Sequence, residues 1–180
     1  MKILSILFLS LVLLISTAPC LHAQTSDLNK MSGMDGKSGY DLSAVFGKTL
    51  FDKTGKEVSA ISMKGKIIGI YFSAHWCPPC RRFSPILVNT YNELKRAGKA
   101  FEIVFVSSDR SADGMYKYMK ELKMPWLAMK HGSEFGASLK RKYGLRGIPS
   151  LIIVGPDGSL ITKEGRAAIS QKGAKALSEW

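Results

Sequence analysis

Two cysteines in the middle of the chain carry its most reactive chemistry. Cys77 and Cys80 are separated only by Pro78 and Pro79, and they follow an apolar run that ends near residue 73. Two thiols within one turn can close to a disulfide and reopen, so the pair predicts thiol–disulfide exchange. A structural disulfide is the less favoured role, because so short a loop restrains little of an unfolded chain.

A metal or haem site is a competing interpretation of the same pair. Structural zinc needs four ligands, and only His75 and His131 could join the two cysteines after the first 23 residues. Covalent haem attachment requires a histidine directly after the second cysteine, where this chain has Arg81. We therefore expect neither a metal nor a cofactor.

The segments on either side of the cysteines indicate a strand followed by a helix. Residues 67–73 form a continuous apolar run that is typical of a central strand buried on both faces. Pro78 and Pro79 suit the first turn of a helix, where no backbone donor is required. We expect this helix to bend at Pro85 and to end at Gly98.

The rest of the chain alternates between strand and helix patterns. A β-hairpin is predicted first, and later crossovers imply parallel strands while a second hairpin adds antiparallel ones. The predicted segments are the hairpin strands 49–52 and 57–59, strand 101–107, a helix capped by Ser111 or Asp113, an apolar connection 125–127, a helix ending before Gly144, strands 147–154 and 160–162, and a helical tail 166–180. The pattern predicts an α/β fold with a central mixed β-sheet flanked by helices and an N-terminal β-hairpin extension.

The N-terminus has the pattern of an export signal. Lys2 precedes an apolar run over residues 3–15, which is too short to span a bilayer comfortably, and Ala23 offers a cleavage site. We predict a signal peptide over residues 1–23 and a periplasmic or secreted protein. Two alternatives stay open: retention of the segment as a membrane anchor, and lipid attachment at Cys20.

The predicted mature chain has a polar linker and one domain. Residues 24–40 are polar and contain glycine, which favours a flexible linker, and residues 41–180 form the domain. The formal net charge is +12, and removal of Lys2 with the signal leaves +11. Because the basic residues are scattered and the protein is predicted to be exported, we expect no nucleic-acid binding and assign these charges to solvated faces.

The order of elements and two motifs resemble the thioredoxin superfamily. The motifs are Trp76-Cys77-Pro78-Pro79-Cys80-Arg81 after the first central strand and Gly147-Ile148-Pro149 before the late hairpin. Residues 71–80 and 124–128 are similar to nucleoredoxin and tryparedoxin segments, whereas the predicted export is more like the bacterial TlpA and ResA thiol reductases. The resemblance covers residues 41–180 and implies a thioredoxin-like domain.

The resemblance also implies roles for the two cysteines. Cys77 would be the attacking thiol and Cys80 the resolving one. The helix start supports this assignment, because a helix N-terminus lowers the pKa of a thiol from about 8.5 to a range of roughly 3.5 to 7.5. Arg81 and Arg82 either add to this effect or are simply solvated.

The resemblance assigns substrate binding to residues near the pair. Pro149 matches the family's cis proline, which faces the cysteines and leaves the backbone of Ile148 free to hold a substrate strand. Trp76, with Pro78 and Pro79, would shape the docking surface, although core packing of Trp76 is an alternative.

Two positions depart from the family pattern. Many thioredoxins have a buried aspartate where this chain has Tyr71, and ResA-like proteins have a glutamate where it has Phe83. Glu102 is the remaining substitute, but an acid near the start of a strand is expected to be exposed. The proton acceptor for Cys80 is therefore unassigned, with solvent as the default.

The predicted function is reduction of disulfides in exported proteins. The partners are protein disulfide substrates and an upstream thiol donor, and the protein is expected to act as a monomer, in contact with a membrane only if the signal segment is retained. Two other functions stay open: a disulfide oxidase or isomerase, and a non-catalytic module that binds a metal or a protein.

Overall fold

A computed structural model describes residues 40–180. The predicted signal peptide and the predicted linker, except for Tyr40, lie outside the described residues. In the described part of the chain, no helix has the length and apolar character needed to cross a membrane.

The described part begins with a short helix that the sequence analysis missed. Helix α1 (Leu42–Phe46) starts at Asp41, whose carboxylate accepts hydrogen bonds from the backbone N–H groups of Ser43 and Ala44. Its buried residues are Leu42 and Phe46. One turn is too short for helical periodicity to show in the sequence.

Seven strands of the described residues form one mixed sheet. Its order is β2-β1-β5-β4-β3-β6-β7, with β3 parallel to β4 and β4 parallel to β5, and all other pairs antiparallel. The strands are β1 (Thr49–Phe51), β2 (Glu57–Ser59), β3 (Ile67–Ser73), β4 (Phe101–Ser107), β5 (Leu127–Ala128), β6 (Ser150–Val154) and β7 (Leu160–Thr162). The predicted mixed sheet and N-terminal hairpin are confirmed.

Four longer helices cover the sheet. They are α2 (Pro78–Arg96), α3 (Ala112–Glu121), α4 (Glu134–Tyr143) and α5 (Gly165–Lys172). Ser111 caps α3, and Gly144 ends α4 in the left-handed conformation that glycine adopts without strain. The predicted single tail helix is wrong, because Gly173 has a φ of 55° and the chain continues as a 3-10 helix, Gly173–Glu179.

The predicted apolar connection at residues 125–127 is partly a strand. Leu127 pairs with Val104 of β4, and Ala128 pairs with both Phe105 of β4 and Phe51 of β1. Strand β5 thereby joins the N-terminal hairpin to the central sheet. Two residues are too few to produce an alternating pattern, so the sequence could not indicate this strand.

Both faces of the central sheet are buried, and this explains the continuous apolar run of β3. Tyr71 lies on the face that packs against α2, α3 and α5, together with Leu87 of α2. Ile70 and Phe72 lie on the opposite face with α1 and α4. Because β3 is held on both faces, its carboxyl end and the cysteines that follow have a fixed position.

Candidate active site

The Cys77–Cys80 pair lies at the start of α2. The two cysteines form a disulfide, with a Cα–Cα distance of 5.2 Å. Cys77 is the N-cap of the helix, and its Sγ accepts a hydrogen bond from the backbone N–H of Cys80 at 3.3 Å. Pro78 and Pro79 occupy the first helical positions, where a missing N–H leaves no bond unmade.

The two cysteines differ slightly in their exposure to solvent. Cys77 is 4% exposed, whereas Cys80 is completely buried. Of the two cysteines, only Cys77 has any solvent-accessible surface, so a partner molecule would meet Cys77 first. When the disulfide is reduced, the same backbone donor and helix end favour a thiolate at Cys77.

The loop before β6 faces the cysteine pair. The Ile148–Pro149 peptide bond is cis, as the resemblance implies. The carbonyl oxygen of Ile148 lies 3.8 Å from Sγ of Cys77, and Ile148 packs against the small cluster that the two cysteines form with Ala74. The structure therefore brings the two predicted segments, which are about 70 residues apart in sequence, into contact.

Trp76 lies on the surface beside the pair. Its side chain is 58% exposed, so the alternative that it packs into the core is wrong. The indole Nε1 donates a hydrogen bond to the carbonyl oxygen of Ser108 at 3.0 Å, which fixes the ring although it is exposed. Pro78 is exposed and Pro79 half-buried. These residues provide an apolar surface at the mouth of the site.

Asp109 holds the segment that carries Trp76, and the sequence analysis missed it. Its carboxylate accepts hydrogen bonds from the backbone N–H of His75 at 2.8 Å and from the hydroxyl of Ser107 at 2.8 Å. The imidazole of His75 pairs with Glu121 at 2.7 Å. The position of Asp109 shortly after β4 could have indicated this role. The carboxyl ends of neighbouring parallel strands meet at one edge of a sheet, so Asp109 had to lie near the segment that follows β3.

A buried network of hydroxyl groups replaces the carboxylate found in many thioredoxins. The hydroxyls of Tyr71 and Ser84 are 2.7 Å apart, those of Ser84 and Tyr118 are 2.7 Å apart, and those of Tyr118 and Ser73 are 3.1 Å apart. All four residues are fully buried, and Ser84 lies one helical turn after Cys80. Burial, and next the neighbouring Tyr118, raises the pKa of Tyr71 well above its usual value. Tyr71 is therefore neutral at physiological pH.

Glu102 is not available as the proton acceptor for Cys80. The expectation that it is exposed is wrong, because it is 8% exposed and accepts a hydrogen bond from the hydroxyl of Tyr91 at 2.6 Å. Lys66 and Lys95 each pair with its carboxylate at 3.3 Å. Glu102 is in register with Ile68 near the start of β3, at the end of the sheet opposite the cysteines.

The other residues singled out from the sequence lie in different environments. Phe83 is buried and packs edge-on against Tyr71 with 5.8 Å between ring centroids. His131 bonds the carbonyl oxygen of Asp109 at 2.8 Å. Within residues 40–180 there is no cluster of three or more His, Cys, Asp or Glu residues that could hold a metal ion. Arg81 and Arg82 are exposed to solvent.

Comparisons with known proteins give the family. A thioredoxin-like family model matches residues 65–160, which is more than half of the chain. A thioredoxin from Wuchereria bancrofti is 41% identical and superposes with a TM-score of 0.65, covering 76% of this chain and 95% of that one. The chain belongs to the thioredoxin-like oxidoreductase family.

Two branches of this family are similar to the chain. Tryparedoxin I from Crithidia fasciculata is 38% identical with a TM-score of 0.64, over 71% of this chain and 87% of that one. Bovine nucleoredoxin (Bos taurus) is 46% identical over 121 residues, which are 67% of this chain and 27% of the relative. A probable nucleoredoxin from Arabidopsis thaliana is 41% identical over 155 residues, 86% of this chain and 24% of the relative. The chain thus spans about a quarter of the length of each of these two nucleoredoxins.

The raised pKa of Tyr71 predicts that the contribution of this residue to stability decreases at alkaline pH. Its contribution to stability is fully present below the unfolded-state pKa of about 10 and is lost as the pH rises toward the higher folded-state pKa. At neutral pH, Tyr71→Phe should lower the free energy of unfolding by about 1–3 kcal/mol, because Ser84 loses a hydroxyl partner. At pH ~11 the difference in the free energy of unfolding between wild type and Tyr71→Phe should be smaller by about 1.4 kcal/mol.

Urea unfolding of both proteins at neutral pH and near pH ~11 measures this difference. Tyr116→Phe is the control, because the phenol of Tyr116 makes none of the hydrogen bonds of the buried network. The gap in unfolding free energy between wild type and Tyr116→Phe should change less with pH. A stability gap between wild type and Tyr71→Phe that does not change with pH contradicts the assignment.

Proposed function

We propose that this protein is a thiol–disulfide oxidoreductase that reduces disulfides of exported proteins through Cys77 and Cys80, acting as a monomer. One observation carries the proposal: the outer sulfur caps a helix and faces the Ile148 carbonyl, while the inner sulfur is completely buried. This asymmetry defines an attacking and a resolving position. Membership in the thioredoxin-like family supports the same chemistry.

The reaction is a two-step exchange that balances in atoms and electrons. The thiolate of Cys77 attacks one sulfur of the substrate disulfide, so a mixed disulfide forms and the first substrate thiolate leaves. Cys80 then loses its proton and attacks Sγ of Cys77, which releases the second substrate thiolate. Two electrons have passed to the substrate, and the protein holds the Cys77–Cys80 disulfide. An upstream thiol donor reduces it again.

The surface around Cys77 would hold an extended substrate segment. The carbonyl of Ile148 can accept a hydrogen bond from a substrate backbone, and Pro149 has no N–H to compete for the substrate's acceptors. Trp76 and Pro78 are exposed next to the sulfur, and Pro79 is half-buried. This surface would contact a substrate mainly through its apolar shape and its backbone groups, and not through specific side-chain hydrogen bonds. Such contacts fit the recognition of many protein substrates.

Insulin reduction tests the enzymatic function, with dithiothreitol as the donor. Wild-type protein should accelerate precipitation of the insulin B chain, and Cys77→Ser should lower the rate to that of dithiothreitol alone. Cys80→Ser should stop after one step and accumulate a mixed disulfide through Cys77, visible by mass spectrometry. Cys20→Ser in the full chain is the matched control and should keep full activity.

Two results would contradict this function. If reduced wild-type protein is no faster than dithiothreitol, the protein is a non-catalytic binding module. If the trapped insulin chain is attached to a residue other than Cys77, the assigned roles of the two cysteines are wrong.

We further propose that the protein is exported and that its mature form begins at Gln24. Lys2, the apolar run over residues 3–15 and Ala23 support this proposal. Expression of the full chain in a bacterium should give a periplasmic protein whose first residue is Gln24, and Ala23→Lys should block processing. An uncleaved chain in the membrane fraction would show a retained anchor, and a lipid mass on Cys20 would show lipidation.

A further inference from the structure

Several basic residues lie on the chain segments that contact the cysteine pair or Trp76. The ammonium group of Lys140 donates a hydrogen bond to the hydroxyl of Ser108 at 3.0 Å, and the carbonyl of the same Ser108 accepts the Trp76 indole. Arg110 is exposed two residues after Ser108 in sequence. Lys140 and the ring of Trp76 therefore meet at Ser108, and Arg110 is an exposed cation close to Ser108 in sequence.

Two further arginines belong to the segments that hold Ile148 and the start of α2. Arg146 is exposed two residues before Ile148, whose carbonyl is 3.8 Å from Sγ of Cys77. Arg81 is exposed in the first turn of α2, and its backbone N–H donates to the carbonyl of Cys77. We call Arg81, Arg110, Lys140 and Arg146 the basic rim. In the part of the chain that the structure describes, none of the four forms a salt bridge.

The acids near the pair do not neutralise the basic rim. Asp109 is 9% exposed, and its carboxylate is occupied by the N–H of His75 and the hydroxyl of Ser107. Glu121 is paired with His75 and Lys117. The exposed acids nearby, Asp113 and Glu134, lie in the first turns of α3 and α4, where they complement the positive helix ends. The mouth of the site is therefore electropositive.

We propose that the basic rim selects protein substrates that carry acidic residues next to the disulfide. The inference rests on the proposed reductase function and adds the class of substrate. Trp76, Pro78 and Ile148 would form the apolar centre of the contact and the four cations its charged edge, which is the usual arrangement of a protein interface. Charges at the edge of an interface mainly raise the association rate and suppress partners of the same charge.

A protein partner is favoured over an anionic membrane by the position of the cations. They belong to segments next to Cys77, which is proposed to react with disulfides, and a lipid surface offers it none. A positive electrostatic potential at this place would attract an acidic substrate protein as it approaches Cys77.

Two synthetic peptides with the same intrachain disulfide test the proposal. One has glutamates on both sides of the disulfide, and the other has lysines at the same positions. At about 20 mM salt, kcat/KM for the acidic peptide should be at least ~10-fold higher, because the Debye length is then more than 20 Å. At about 1 M salt the ratio should fall below ~3, since the screening length shrinks to about 3 Å.

Charge reversals locate the effect. The double variant Arg110→Glu/Arg146→Glu should lose the preference for the acidic peptide at low salt or reverse it. Lys64→Glu/Lys99→Glu is the matched control, because it changes the net charge equally at exposed positions before β3 and β4, at the opposite end of the sheet. This control should keep most of the preference.

A neutral small disulfide, hydroxyethyl disulfide, separates the two proposals. If the wild type does not reduce it, the proposed function fails. If wild type and both double variants reduce it equally but the two peptides are not distinguished, the basic rim has no role in selection. If the peptides are not distinguished while phosphatidylglycerol vesicles bind the wild type and not the rim variant, the partner is a membrane. Both of the last two results overturn the inference.

Discussion

The start of α2 is the constraint on which the rest of the site depends. Cys77 is the N-cap, and its sulfur accepts the backbone N–H of Cys80 at 3.3 Å. This contact fixes the bonded pair at the helix start, where Cys77 is slightly exposed and Cys80 is completely buried. Strand β3, buried on both faces, fixes where the helix begins, and the cis Ile148–Pro149 loop closes the opposite side. The remaining elements support these three parts.

The buried hydroxyl network shows that the environment of the resolving cysteine differs from that of many thioredoxins. Tyr71, Ser84, Tyr118 and Ser73 satisfy one another, so no buried carboxylate is needed to complete this part of the core. Glu102, the other acid considered, is committed to two lysines and Tyr91 at the far end of the sheet. Glu102 therefore cannot take the proton of Cys80, and solvent stays the default acceptor.

Much of the fold and the cysteine pair could be predicted from the sequence, and the failures have physical causes. The apolar run of β3, the two prolines of α2 and the turn before β7 are strong local signals, and their elements formed as predicted. Helix α1 and strand β5 are too short for periodicity, and Gly173 interrupts the tail helix. Asp109 was missed because its role depends on contacts with residues more than 30 positions away.

The central claim is that the two cysteines have different roles because of their places at the helix start. The most direct measurement is the rate at which each reduced thiol reacts with iodoacetamide near neutral pH, followed by peptide mass spectrometry. The account predicts that Cys77 is alkylated at least ~10-fold faster than Cys80, because only its sulfur combines solvent access with the backbone donor of the helix end. Equal rates, or faster alkylation of Cys80, would contradict it.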